Sequence, residues 1–132
     1  MKSIKNFKIG QLISKKSYVT IEGKKIKLMD SRDKILMFMS SHCVKCLKLL
    51  PELVKVNTEQ RDLYLFFSAD SEDCLELKNK LFWEFEVIST TESKIEKDFN
   101  VSILPYYILV NDKNIITRLG NVEIVDDLNI LS

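Results

Sequence analysis

Two cysteines stand two residues apart in the segment Ser40-Ser41-His42-Cys43-Val44-Lys45-Cys46, with a histidine directly before the first and a lysine directly before the second. A continuous apolar run, Ile35 to Met39, leads into the segment, and helical spacing begins at Val44. Strand, cysteine and helix in that order is an arrangement for sulfur chemistry. Two cysteines at this spacing on the first turn of a helix can close a disulfide. The unpaired N–H groups of that turn stabilise a thiolate at Cys43. Its pKa then falls from about 8.5 into the range of roughly 3.5–7.5. Cys46, one turn deeper, is shielded and placed to attack a mixed disulfide. The reading is therefore Cys43 as nucleophile and Cys46 as resolving thiol. A protonated His42 or the Lys45 ammonium adds to the thiolate's stability by about 0.5–1 kcal/mol each, so both are read as redox-tuning residues.

The third cysteine, Cys74, shares a helical stripe with Leu77 and Leu81. That pattern reads first as core, since a free cysteine often behaves as a small apolar residue. A second resolving or regulatory thiol is the sharper alternative. His42, Cys43, Cys46 and Cys74 could be counted as four metal ligands. The adjacent His42 and Cys43 would struggle to face one ion, and no second paired-cysteine motif exists, so no metal and no other cofactor is expected.

The elements that must position these residues follow from periodicity. Tyr18 to Ile21 and Ile26 to Met29 read as two short strands around Gly23. Lys34 to Met39 and Asp62 to Ala69 read as strands buried on both faces. Leu47, Leu50 and Val54 recur at helical intervals, interrupted by Pro51. Ser71-Glu72-Asp73 offers caps and acidic residues for a helix carrying Cys74, Leu77, Leu81 and Phe85. Phe82, Trp83 and Phe85 read as core. Glu86 to Ser89 reads as a short strand and Ser93 to Phe99 as a short helix, with Glu92 to Asp98 its solvated, mixed-charge face. Ile103 to Val110, a turn at Asn111 to Asn114 and Ile115 to Leu119 close the chain with a hairpin. The fold class is α/β, a central mixed sheet flanked by helices with an N-terminal hairpin extension.

Composition removes competing classes. The chain has 132 residues, enough for a single domain over 1–132. It is 45% hydrophobic and 30% charged with a net charge of +1, so a compact core is possible and no broad field favours nucleic acid or an anionic membrane. No window approaches a membrane span of about 20 apolar residues. Three cysteines argue against a disulfide-stapled secreted miniprotein. Met1 to Gln11 lacks the apolar core of a secretory leader; read as the native start, it predicts a cytoplasmic chain. Seventeen Lys against three Arg, with abundant Ile and Asn, points to an AT-rich bacterial genome.

Over most of its length the chain resembles the thioredoxin fold. The strand followed by Cys43-Val44-Lys45-Cys46 resembles that family's redox centre, and Pro51 matches the proline that kinks its active-site helix. Leu104-Pro105 before Tyr106 to Leu109 matches the cis-proline strand, and Gly120 matches a glycine near the terminal hairpin. Ile9-Gly10-Gln11, the Gly23 hairpin and Lys27-Leu28 are similar to the TlpA-like branch. The resemblance implies a thioredoxin-like thiol–disulfide oxidoreductase. It also implies that the Leu104–Pro105 bend lies against Cys43, where Leu104 could pair with an extended substrate by strand addition. A protein or peptide client and a redox recycling partner are the implied partners, and a monomer is expected. A bacteriocin-type peptide is one such client.

Departures from the pattern matter. Val44-Lys45 replaces the usual Gly-Pro or Pro-Pro, and Met37 and Phe38 stand where thioredoxins usually carry a buried aspartate. Lys45, Glu52 or water is left to handle the proton of Cys46. Stabilising the reduced form predicts a potential above about −270 mV. The alternatives are a peroxiredoxin-like peroxidase using Cys43, suggested by Ser40-Ser41-His42-Cys43, and a non-catalytic zinc or client-binding module.

Overall fold

The computed structural model describes residues 8–123 and Leu128. A hairpin of β1 (Ser17–Val19) and β2 (Lys25–Lys27) precedes β3 (Asp33–Ser40). Then come α1 (Val44–Leu49), a 3-10 segment (Leu50–Lys55), β4 (Arg61–Ser68), α2 (Ser71–Lys80) and β5 (Glu86–Thr90). The remaining elements are α3 (Glu92–Phe99), β6 (Tyr106–Val110) and β7 (Ile116–Asn121). The main sheet has the order β5-β4-β3-β6-β7. β3, β4 and β5 are parallel, whereas β6 and β7 are antiparallel to their neighbours. This is the mixed sheet expected, with the N-terminal hairpin outside it.

β3 is central because almost every residue in it is buried. Alternation sends Ile35, Met37 and Met39 to one core, with Cys46, Leu49, Leu50, Leu53, Cys74 and Trp83. Leu36 and Phe38 go to the other, with Phe66, Ile95 and Phe99. There Phe38, Phe66 and Phe99 form a mutual aromatic cluster with ring centroids 4.8 to 5.3 Å apart, and Tyr18 meets Phe66 edge-on at 5.0 Å. The N-terminal end of β3 carries a fully buried Lys34. Its ammonium meets Asp30 Oδ1 at 3.1 Å, Arg32 O at 2.8 Å and Asn114 Oδ1 at 3.3 Å, which satisfies the charge.

Four sequence expectations are corrected. The buried face of α1 and the segment after it is Cys46, Leu49, Leu50 and Leu53, whereas Leu47 and Val54 face solvent. The stripe begins one residue earlier than expected, at Cys46, and keeps three- and four-residue spacing through the 3-10 segment that contains Pro51. α2 ends at Lys80: Phe82 adopts φ 60, and the Trp83 N–H closes back on Lys78 O at 3.0 Å. Trp83 and Phe85 reach the core from that loop, but Phe82 is 78% exposed. The strand expected from Ile103 begins only at Tyr106, because Pro105 has no N–H to give a ladder. Finally, α3 is not a purely solvated face. Most of the face is exposed as expected, but Asp98 accepts from Lys16 Nζ at 2.7 Å and from the Tyr18 hydroxyl at 3.0 Å, and the exposed Glu92 accepts from the buried Ser40 Oγ.

Phe38→Ala removes the ring shared by Phe66 and Phe99 and is expected to cost about 3–5 kcal/mol. A lowered urea midpoint with an unchanged slope checks this.

Candidate active site

The carboxyl end of β3 delivers the chain to the site. The Ser41 N–H donates to Ser68 O at 3.1 Å, tying the turn to the end of β4, and the Cys43 N–H donates to Ser40 O at 3.2 Å. Cys43 is the N-cap of α1, with extended backbone at φ −107° and ψ 114°. Its sulfur accepts the Cys46 N–H at 3.2 Å. An N-cap normally offers an oxygen to this donor, and here a sulfur does the same work. A thiolate accepts that N–H more strongly than a thiol, because a charged acceptor makes the stronger bond. α1 is only six residues long, so the effect is carried by these first-turn donors.

Cys43 is half-buried and Cys46 fully buried. Burial pushes the Cys46 thiol up to about 12. A hydrogen bond with Cys43 adds to the rise, the Ser40 backbone opposes it, and the charges of Cys43 and Glu92 raise it further. Cys74 is also fully buried, pushed up to about 11 chiefly by burial, with its sulfur 3.8 Å from Ala69 O. Its surroundings are core, so the apolar reading describes it.

The other anticipated residues fall as follows. The Leu104–Pro105 bond is cis, and the Cys43 sulfur lies 3.7 Å from Leu104 O. Pro105 O is occupied by the Val122 N–H at 3.2 Å and by Asn121 Nδ2 at 3.3 Å, which pins the bend to the end of β7. His42 and Lys45 are both exposed on the rim. The His42 N–H donates to Ser40 Oγ at 3.1 Å. Glu52, a candidate for handling the Cys46 proton, instead pairs with Lys55 at 2.6 Å. Among the described residues no group of three or more His, Cys, Asp or Glu could hold a metal.

One residue of the site escaped the sequence. Glu92, in the first turn of α3, accepts a 2.5 Å hydrogen bond from Ser40 Oγ, and Ser40 itself is fully buried. Nothing in the local charge pattern separates Glu92 from its neighbours. The link spans 52 positions and exists only once α3 is laid across the sheet.

No family model matches the sequence, and no curated protein is similar to it in sequence. Solved structures are similar in fold. A thioredoxin-family thiol:disulfide interchange protein from Chlorobium tepidum TLS superposes with a TM-score of 0.76 at 14% identity, covering 92% of each chain. A secreted Mycobacterium tuberculosis disulfide oxidoreductase gives 0.72 at 16% identity, over 87% of this chain and 92% of the other. A peroxiredoxin-like protein from Aquifex aeolicus gives 0.75 at 9% identity, over 92% and 80%. The fold is thioredoxin-like.

The difference between the thiols sets an alkylation pattern. At pH 8 a thiol at about 12 is ionised to only about one part in ten thousand. Iodoacetamide on the native reduced chain at that pH is therefore expected to label Cys43 alone, with Cys46 and Cys74 reacting only after denaturation; peptide mass mapping checks it.

Proposed function

We propose that the protein is a thiol–disulfide oxidoreductase that exchanges disulfides with a protein or peptide client. The observation that carries this is the Cys43 sulfur, held at the N-cap of α1 by the Cys46 N–H and facing Leu104 O. Cys43 attacks a client disulfide and forms a mixed disulfide, expelling one client thiolate. Cys46 then attacks Cys43, closes the Cys43–Cys46 bond and expels the second. The client's disulfide is reduced as the pair is oxidised, and the same steps in reverse oxidise a client dithiol.

The surroundings support an extended client. Val44, Leu47 and Ile103 are exposed apolar residues on the elements that flank Cys43. Beside them the Leu104 backbone is the natural edge for strand addition. His42 and Lys45 stand exposed on the rim on either side of Cys43 and leave its sulfur open to a client. By resemblance, a small cysteine-bearing peptide of the bacteriocin type is a client of the right kind, and a second redox protein recycles the pair.

Peroxidase chemistry is the second reading, favoured by the likeness to the Aquifex aeolicus structure. Against it, Ser40 Oγ is committed to Glu92 and to the His42 N–H.

Cys46→Ser is expected to accumulate mixed disulfides through Cys43, visible as reducible higher-mass species after acid quenching. Cys43→Ser is expected to accumulate none. A Cys46→Ser chain that traps no client or small disulfide overturns the mechanism.

A further inference from the structure

The sheet carries a second group of charges at the end away from the cysteines. Alternation puts Asp33 on the same face as Ile35 and Arg61 on the same face as Leu63, while Arg118 stands opposite Leu109 in the β6–β7 ladder and shares its face. Ile35, Leu63 and Leu109 belong to one core, so the face that packs on Cys46 ends in two arginines and an aspartate. With Leu109 and Thr117 these three line a cavity of about 310 Å³. The eight residues of β3 separate it from Ser40, about 23 Å along the strand.

The chain has three arginines, and the third, Arg32, is paired with Asp62 at 3.2 Å. Arg61 and Arg118 make no ion pair among the described residues. Arg61 Nη1 is shut from solvent and has no hydrogen-bond partner. A guanidinium left in that condition costs free energy until an acceptor reaches it. Beside it the β6–β7 register slips between Leu109 and Val110, and the Thr117 hydroxyl donates to Leu109 O at 3.3 Å. A bulge of this kind re-aims side chains at a sheet edge. We propose that the cavity binds a small carboxylate with an apolar body, its carboxylate held by Arg61 and Arg118 and its body laid on Leu109. The planar guanidinium fork matches the two oxygens of a carboxylate. Two arginines against Asp33 leave one positive charge, which a single carboxylate neutralises, whereas a doubly charged phosphate exceeds it and meets the Asp33 charge. The volume stands at the lower end of the range for ligand pockets, about 300–1,000 Å³, and suits one ring or a short chain. The site is independent of the exchange reaction.

The test is an amide NMR titration of the full-length reduced chain with benzoate, acetate, inorganic phosphate and sodium chloride at equal ionic strength. Benzoate is expected to give saturable shifts at the amides of Asp33, Arg61, Leu109 and Arg118 and none at Cys43 or Cys46. It is expected to bind more tightly than acetate, which lacks the ring, and chloride is expected to give no saturable shift. Arg61→Gln, and Arg118→Gln at an exposed position, are each expected to weaken benzoate at least about tenfold, the loss of one charge-assisted contact. Asp33→Asn, which removes the opposing charge, is expected to tighten it. Retained dispersion of the amide spectrum shows that each variant is folded. A wild-type chain without saturable benzoate shifts at those amides overturns the proposal, as does undiminished binding in Arg118→Gln. Phosphate binding more tightly than benzoate overturns it too, because the ligand class is then wrong.

Discussion

The hydrogen bond from the Cys46 N–H to the Cys43 sulfur is the contact on which the rest depends. It makes Cys43 the cap of its own helix, its sulfur taking the place of the oxygen that usually satisfies this first-turn donor. It also sets the unequal partnership of the two thiols. The same turn that presents one sulfur to the surface carries the other into the core between sheet and helix, where water cannot solvate a charge. Accessibility is thus divided by a single turn of backbone.

That division needs a platform, and the two-sided burial of β3 supplies it. Odd-numbered side chains of β3 pack with Cys46 and even-numbered ones with the aromatic cluster. The strand therefore emerges at Ser40 in a direction fixed from both faces. The parallel neighbour β4 carries the same register to Ser68, whose carbonyl oxygen holds the turn. From the other side β6 brings Pro105 and Leu104 to the sulfur, because its pairing with β3 begins at Tyr106 opposite Phe38. Three strands from distant parts of the chain meet at one edge, and the candidate site sits there.

Much of this was legible in the residues. Unbroken apolar runs marked β3 and β4, the cysteine spacing marked the helix start, and Pro105 marked the bend. What was hidden depended on contacts distant in sequence or on fine geometry. The buried stripe is anchored at Cys46, and the equal apolarity of Leu47 and Leu49 gave no sign of which would be buried. Phe82 looked like its neighbours Trp83 and Phe85, and only the left-handed turn that ends α2 separates them. Glu92 was the largest gap. A carboxylate among other charges carries no mark of the buried hydroxyl it will meet.

Lys34 and Ser40 lie on the same side of one strand, one near its beginning and one at its end, and both are wholly enclosed yet tied to other parts of the chain. A slip of a single residue would turn both into the opposite layer and strand an ammonium among hydrocarbons. The strand thus behaves as a plinth bolted at both ends, with the Cys43 turn mounted on top. In the exchange proposed above, movement falls to the visitor, which must straighten its own backbone to lie down beside that fixed point.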